Sequence, residues 1–167
     1  MTKTLPGRDT LSAERPRSRD ESRPTAGYHG QCHCRKRGSG SDRSGYVILL
    51  GIGPDDTPQI ARELAEKTAY LRVFEDEAGK MNLSLLDVNG QAIVVSQFTL
   101  YADTSRGRRP SFINAAKPDL AEPLVDVFSE RLREFGIATQ QGVFGAHMVV
   151  DIRNDGPVTI LLELPQA

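Results

Sequence analysis

The chain has 167 residues, a hydrophobic content of 38% and a formal net charge of -1, which suits one domain with a sizeable core. Its apolar runs of five to seven residues fall far short of the ~20 needed to cross a bilayer, which excludes a helical membrane protein. Two cysteines set up no disulfide framework, and a polar, charged stretch follows Met1 in place of a secretory signal, so the expected location is cytoplasmic.

The near-zero charge hides a division. Residues 1 to 44 hold ten basic and five acidic residues, net +5; residues 45 to 167 hold the other eleven and seventeen, net -6. The first part is rich in Arg, Ser, Gly and Pro with almost no apolar periodicity, and reads as irregular or disordered coil. Within it, His29, Cys32, His33 and Cys34 stand too close together to turn toward one tetrahedral ion. No second ligand pair follows, so no metal is expected. Arg35 to Arg37 reads as a solvated charge run.

The second part is patterned throughout. YVILLGIG (Tyr46 to Gly53) is a short apolar run bounded by glycines, which suits a buried strand. Asp56 and Thr57 then offer N-cap oxygens and Pro58 suits a first helical turn. Ile60, Ala61, Leu64, Ala65 and Thr68 recur on one face, and this predicts an amphipathic helix. LRVF (Leu71 to Phe74) looks like another strand. SLLDVNGQAIVVSQFTL gives two apolar runs around Asn89-Gly90, a strong hairpin signal. From Tyr101 to Asp119 the periodicity fades and turn formers dominate, which predicts a long surface loop or a loop with a short helix, of a length that is often functional. Leu120, Leu124, Val127, Phe128, Leu132 and Phe135 then predict a helix that Gly136 ends at C′. TQQGVFGAHMVVDI and VTILLEL supply the last strands. The expected order is β α β β β α β β β. The fold class is α/β (α+β-like), with a largely antiparallel, barrel-like sheet and helices packed on it.

A search for catalytic residues by type returns little. Of three histidines, only His147 lies in the patterned part, so a Ser-His-Asp triad would have to use it. Its apolar strand context favours a packed or edge histidine. No glycine-rich loop with a following lysine is present, and GIGPDD lacks the spacing of a dinucleotide site. NDGPVT (Asn154 to Thr159) interrupts two good strands with a residue that cannot donate to a ladder.

Four stretches, GKMNLSL, VVSQFTLYAD, GRRPSF and NDGPVT, together resemble the D-aminoacyl-tRNA deacylase family, a group of proofreading esterases. The resemblance runs from about Gly45 to Leu164. It implies a cofactor-independent hydrolase acting on the ester of D-aminoacyl-tRNA, and on glycine mischarged to alanine tRNA. It also implies a homodimer whose active sites lie at the subunit interface. Gly156-Pro157 would be a cis pair projecting into the mate's site, with Asn154, Val158 and Thr159 around it. Ser96, Gln97, Phe98 and Thr99 would surround the aminoacyl group, with backbone N–H groups near Phe98 and Thr99 as oxyanion donors. Thr99 as a nucleophile is the other possibility, although no general base for it is visible in the sequence. Arg106, Arg108 and Arg109 are candidates for tRNA phosphate contacts or a solubilising loop. A second reading is a catalytically inactive RNA-binding protein with a basic N-terminal arm; a third is a nonenzymatic dimer module.

The chain departs from the family at its start, where members have a strand hairpin leading into the YVILLGIG segment and an arginine that helps hold the Gly-Pro pair. Residues 1 to 44 carry no such motif, and without it neighbouring strands are expected to lose partners. The segment is compatible with a shifted reading frame: if Cys32-His33-Cys34 is encoded TGT-CAC-TGT, reading one base later gives Val-Thr-Val, a good strand triplet. The codons from Arg23 to Gly45, read one base later, should spell an alternating hairpin. DNA sequence across codons 20 to 46 checks this, and codons that cannot yield such a string rule out the shift.

Overall fold

The computed structural model describes residues 30–33 and 44–164. Ser44–Leu50 forms strand β2, in which five of seven residues are buried. Burial on both faces is the mark of a central strand. On one side it pairs antiparallel with β1 (Gly30–His33), Gly30 opposite Val47 and His33 opposite Ser44. On the other it pairs in parallel with β5 (Gln91–Ser96), from Gly45 opposite Gln91 to Leu50 opposite Ser96. β6 (Ala138–Gln141) adds in parallel to β5, so the sheet order is β1-β2-β5-β6. A separate two-stranded sheet joins β3 (Phe74–Glu75) to β4 (Met81–Leu83).

Helix α1 (Pro58–Tyr70) starts as its sequence predicts. The Thr57 hydroxyl accepts from the Ile60 N–H at 3.3 Å with Pro58 in the first turn, which satisfies an otherwise orphan donor. Helix α2 (Pro118–Glu134) is followed by Gly136 at φ 82, the left-handed position that glycine occupies without a Cβ penalty. Ala61, Ala65 and Ala69 of α1 and Leu124, Val125, Phe128 and Leu132 of α2 meet Tyr46, Ile48, Leu50, Ala92 and Val94 of the sheet in one core cluster. The helices also meet at an exposed seam, where Arg131 pairs with Glu66 and Glu134 at 2.9 Å and lies over the Phe135 ring. Solvent screening at this seam keeps the contribution of each ion pair small.

The expected helices and α/β class are present, and several expected strands are not. The main sheet is not largely antiparallel: two of its three pairings, β2 with β5 and β5 with β6, are parallel. The reason lies at Asn89-Gly90, which closes a helical turn in place of a hairpin. The Val88 and Gly90 N–H groups donate to Ser84 and Leu85 carbonyls at 3.2 and 2.9 Å, and Asn89 takes φ 48. The Ser84 hydroxyl and N–H donate to Asp87 Oδ2 at 2.6 and 2.8 Å and hold that carboxyl below the ordinary range. The run LRVF contributes only Phe74 to β3. The stretch Ser96 to Leu100 leaves the sheet at Ser96, and Phe98–Tyr101 forms a 3-10 helix. Of the last predicted strands only Ala138–Gln141 is a strand among the described residues. The chain from 148 to 154 and from 158 to 164 nevertheless alternates exposed with half-buried side chains. In the segment expected to be irregular, Gly30–His33 supplies β2 with a strand partner; His29, Cys34 and the Arg35 to Arg37 run lie outside the described residues.

Candidate active site

The parallel register ends β2 and β5 at the same level, and the chain turns away from both. The Gln97 N–H still donates to the Leu50 carbonyl at 2.8 Å, tying the two exits together. Beyond them opens a cavity of about 560 Å³ at the carboxyl ends of the parallel strands, the usual location for ligands in such sheets. Its floor is Leu50, Ile52, Val95 and Val125, all buried. Phe98, Phe112, Phe144, Met148 and Val150 form apolar walls, and Ser96, Gln97, Lys117 and His147 are the polar side chains that reach it. An apolar pocket with a few convergent polar groups is the form expected of a small-ligand site.

Ser96, Gln97 and Phe98 line this cavity, and Thr99 follows on the 3-10 helix. Gln97 and Thr99 are joined side chain to side chain, the Gln97 amide donating to the Thr99 hydroxyl. The Phe98 ring is 57% exposed and meets Phe112 edge-on, centroids 4.9 Å apart. A helix leaves its first N–H groups without intrahelical acceptors; here those belong to Phe98 and Thr99. Among the described residues His147 makes no hydrogen bond to a serine or a carboxylate, so no triad is assembled. His147 lies exposed at the cavity wall rather than packed in a strand. No group of three or more His, Cys, Asp or Glu could hold a metal among the described residues.

The second predicted group stands apart from the first. Asn154 to Thr159 contributes nothing to the cavity lining. Asp155, Gly156 and Pro157 are exposed, and the Gly156-Pro157 bond is cis. Asn154 clasps the bend from one end, its Oδ1 accepting from the Val158 N–H and its amide donating to the Thr159 hydroxyl, both at 3.3 Å. Gly156 takes φ 130, and a Cβ there would meet Val158 Cγ2 at 2.8 Å, so the position tolerates glycine alone.

Comparison with known proteins gives this geometry a context. The family model described as D-Tyr-tRNA(Tyr) deacylase matches residues 28–163. The chain belongs to this family. The match reaches upstream of Gly45, into the segment where no family motif is visible. A D-aminoacyl-tRNA deacylase of Deinococcus deserti is 58% identical over 127 residues, 76% of this chain and 87% of that protein. One from Roseiflexus sp. (strain RS-1) is 62% identical over 124 residues, 74% and 80% of the two chains. Among solved structures, one titled c-Myc DNA Unwinding Element Binding Protein aligns at TM-score 0.66 with 39% identity, covering 74% of this chain and 86% of that one. A probable eukaryotic D-amino acid tRNA deacylase aligns at TM-score 0.59 with 16% identity, over 78% and 92%, and shares the fold.

Sequence reasoning missed the rest of the lining. Lys117, Phe144 and Met148 carry no local signal, because only the tertiary fold brings segments 112–118 and 144–150 to the ends of β2 and β5. Phe112 was visible inside GRRPSF without a role. Just before it stands the basic loop, closed by paired hydrogen bonds between Asp103 and Ser111 at 2.8 and 2.9 Å. Arg106, Arg108 and Arg109 project from it, exposed, and form no ion pair among the described residues. Hydrogen bonds from Ser105, hydroxyl first and N–H second, hold the Asp103 carboxyl below the ordinary range; the N–H bond is 2.8 Å. A depressed carboxylate orders the loop above its unfolded pKa and releases it as pH falls through the folded value. The Ser105 amide resonance should therefore titrate with a midpoint below that of an ordinary aspartate, and Asp103→Asn should abolish the transition, as read by NMR across the acid range.

Proposed function

We propose that this chain hydrolyses D-aminoacyl-tRNA, releasing free tRNA and a D-amino acid, as a cytoplasmic proofreading enzyme that needs no cofactor. The observation that carries the reading is the identity of 58% and 62% with D-aminoacyl-tRNA deacylases over about three quarters of the chain. The family model's match, residues 28–163, spans both the Ser96 to Thr99 segment and the Asn154 to Thr159 bend. The inactive RNA-binding alternative has no comparable support. The unit responsible is residues 45 to 167, with the preceding basic segment either frameshifted or accessory.

The chemistry required is modest. An aminoacyl ester is already activated, so a positioned water and donors for the developing oxyanion suffice. In this reading the Phe98 and Thr99 N–H groups hold the carbonyl oxygen as water adds to the carbon, and the C–O bond to the terminal ribose breaks as the 3′ oxygen takes up the proton that the water gives up. Among the described residues no histidine or carboxylate is hydrogen-bonded to Thr99, which favours participation of the ribose 2′-hydroxyl over a threonine nucleophile. Ser96 and Gln97 flank the aminoacyl group.

Selection by handedness comes from a second copy of the chain. In a homodimer, the exposed Gly156-Pro157 bend of one subunit would enter the Ser96 to Thr99 mouth of its mate, presenting backbone where an L side chain would project. Asn154, Val158 and Thr159 fix that bend. Glycine, with no side chain to exclude, would pass, which accounts for activity on glycyl-tRNA(Ala). Discrimination of this kind works by clash with the wrong substrate rather than by added affinity for the right one. The bend's exposure and its separation from the cavity within one chain support this arrangement.

Two measurements test the reading. Purified protein incubated with matched D- and L-aminoacyl-tRNA should release the D amino acid at least 100-fold faster; equal rates would overturn the chiral filter, and no release of either would overturn the hydrolase. The exposed arginines are the proposed phosphate contacts in a domain of net charge -6. Replacing Arg106, Arg108 and Arg109 with alanine should weaken tRNA binding severalfold at low salt. The slope of log affinity against log salt should become shallower by about 2 to 3, with little change in kcat.

A further inference from the structure

The segment carrying Gln97, Phe98 and Thr99 is held at its far end by one ring. Tyr101 closes the 3-10 helix, and its side chain lies along Gly51 and Gly53, the residues that leave β2. A methyl group on Gly51 would stand 3.0 Å from Tyr101 Cε2, 3.2 Å from Leu100 Cβ and 3.3 Å from the Gln97 carbonyl oxygen. On Gly53 it would stand 2.9 Å from the Tyr101 hydroxyl oxygen and 3.4 Å from Cζ. Residues two apart on extended chain share a face, so the glycines form a groove about one ring wide. Neither has a positive φ. The position therefore demands their small size rather than their conformational freedom.

Gly53 is buried, and its N–H donates to Asp56 Oδ2 at 2.7 Å. Burial first, then the Asp56 and Glu163 carboxylates, push the Tyr101 phenol above its ordinary value, so it stays neutral. The segment is thus pinned twice: by the Gln97 N–H on the Leu50 carbonyl at one end, and by the Tyr101 ring against two glycines at the other.

We propose that Tyr101 is a positioning residue for the deacylation: seated against Gly51 and Gly53, it sets how far Gln97, Phe98 and Thr99 stand above the ends of β2 and β5. It does not touch the ester. The inference rests on the hydrolase reading for what the segment does, and on the packing alone for where the segment lies.

The test uses the full chain in four forms: wild type, Gly53→Ala, Tyr101→Phe and the double variant. The added methyl must push the phenol oxygen outward by a few tenths of an ångström, and a 1 Å misplacement near reacting atoms can cost roughly 100-fold. Gly53→Ala should therefore lower kcat about tenfold with KM within about twofold. Tyr101→Phe removes the atom at 2.9 Å and leaves Cζ at 3.4 Å. It should stay within about threefold of wild type, and the double variant should return to its level, a coupling that a double-mutant cycle isolates. The backbone amide resonances of Phe98, Thr99 and Leu100 should shift in Gly53→Ala and move back in the double variant. Wild-type kcat with unmoved amides in Gly53→Ala, or a double variant as impaired as Gly53→Ala, overturns the proposal. Wild-type protein that hydrolyses no D-aminoacyl-tRNA overturns the functional reading instead, and the amide shifts then decide the positional claim alone. Should Gly53→Ala not fold, Tyr101→Leu carries the test: at least a tenfold loss of kcat supports the ring's role, and wild-type kcat removes it.

Discussion

The structure depends on the parallel pairing of β2 with β5. Six consecutive residues on each strand are in register, from Gly45 with Gln91 to Leu50 with Ser96. That register brings two stretches more than forty positions apart to one level. β2 is buried on both faces, and Ala92 and Val94 on one face of β5 join the core, so a slip of one residue in β5 would carry those two side chains off it. The core helices, the flush strand ends and the crevice beyond them all follow from this alignment.

Much of this was legible in the sequence, and the failures have identifiable causes. α1 and α2 were readable because a 3.6-residue apolar stripe, a threonine cap, a proline in the first turn and a terminal glycine agreed with one another. Asn89-Gly90 misled because the same dipeptide that makes a two-residue hairpin also ends a helical turn; the arbiter was Ser84 and Asp87, which lock that turn from its start. A clue to parallel pairing was nevertheless present: YVILL is continuous rather than alternating, as expected of a strand covered on both sides. The stretches after Gly142 alternate in burial as strands do, yet carry no named strand, because periodicity reports a face and not a hydrogen-bonded neighbour.

Of the candidate cavity, the Ser96 to Phe98 edge was legible as a motif and the other walls were not. Ser96 to Thr99 and Asn154 to Thr159 announced themselves as short strings. Lys117 and Phe144 did not, since their place depends on where α2 begins and where the chain passes after β6. His147 was expected to be a packed or edge histidine of a strand and is exposed at the cavity, where that strand does not form. The two motifs stand apart in the chain, and the Asn154 to Thr159 bend contributes nothing to the lining of the cavity. The acidic balance of the patterned part likewise conceals a local excess of positive charge on the loop beside Phe112, where charge matters by position more than by sum.

The cavity draws its last wall from residues 144–150, long after β2 and β5 have been made. During synthesis, when a chain emerges from its N-terminus and folds as its parts become available, the strands and both helices precede this wall. A nascent chain halted after α2 would hold the floor of the cleft open to water, with its aromatic side unroofed. The chamber is therefore closed only after the strands and both helices have been made, and a shorter copy would leave its apolar floor uncovered.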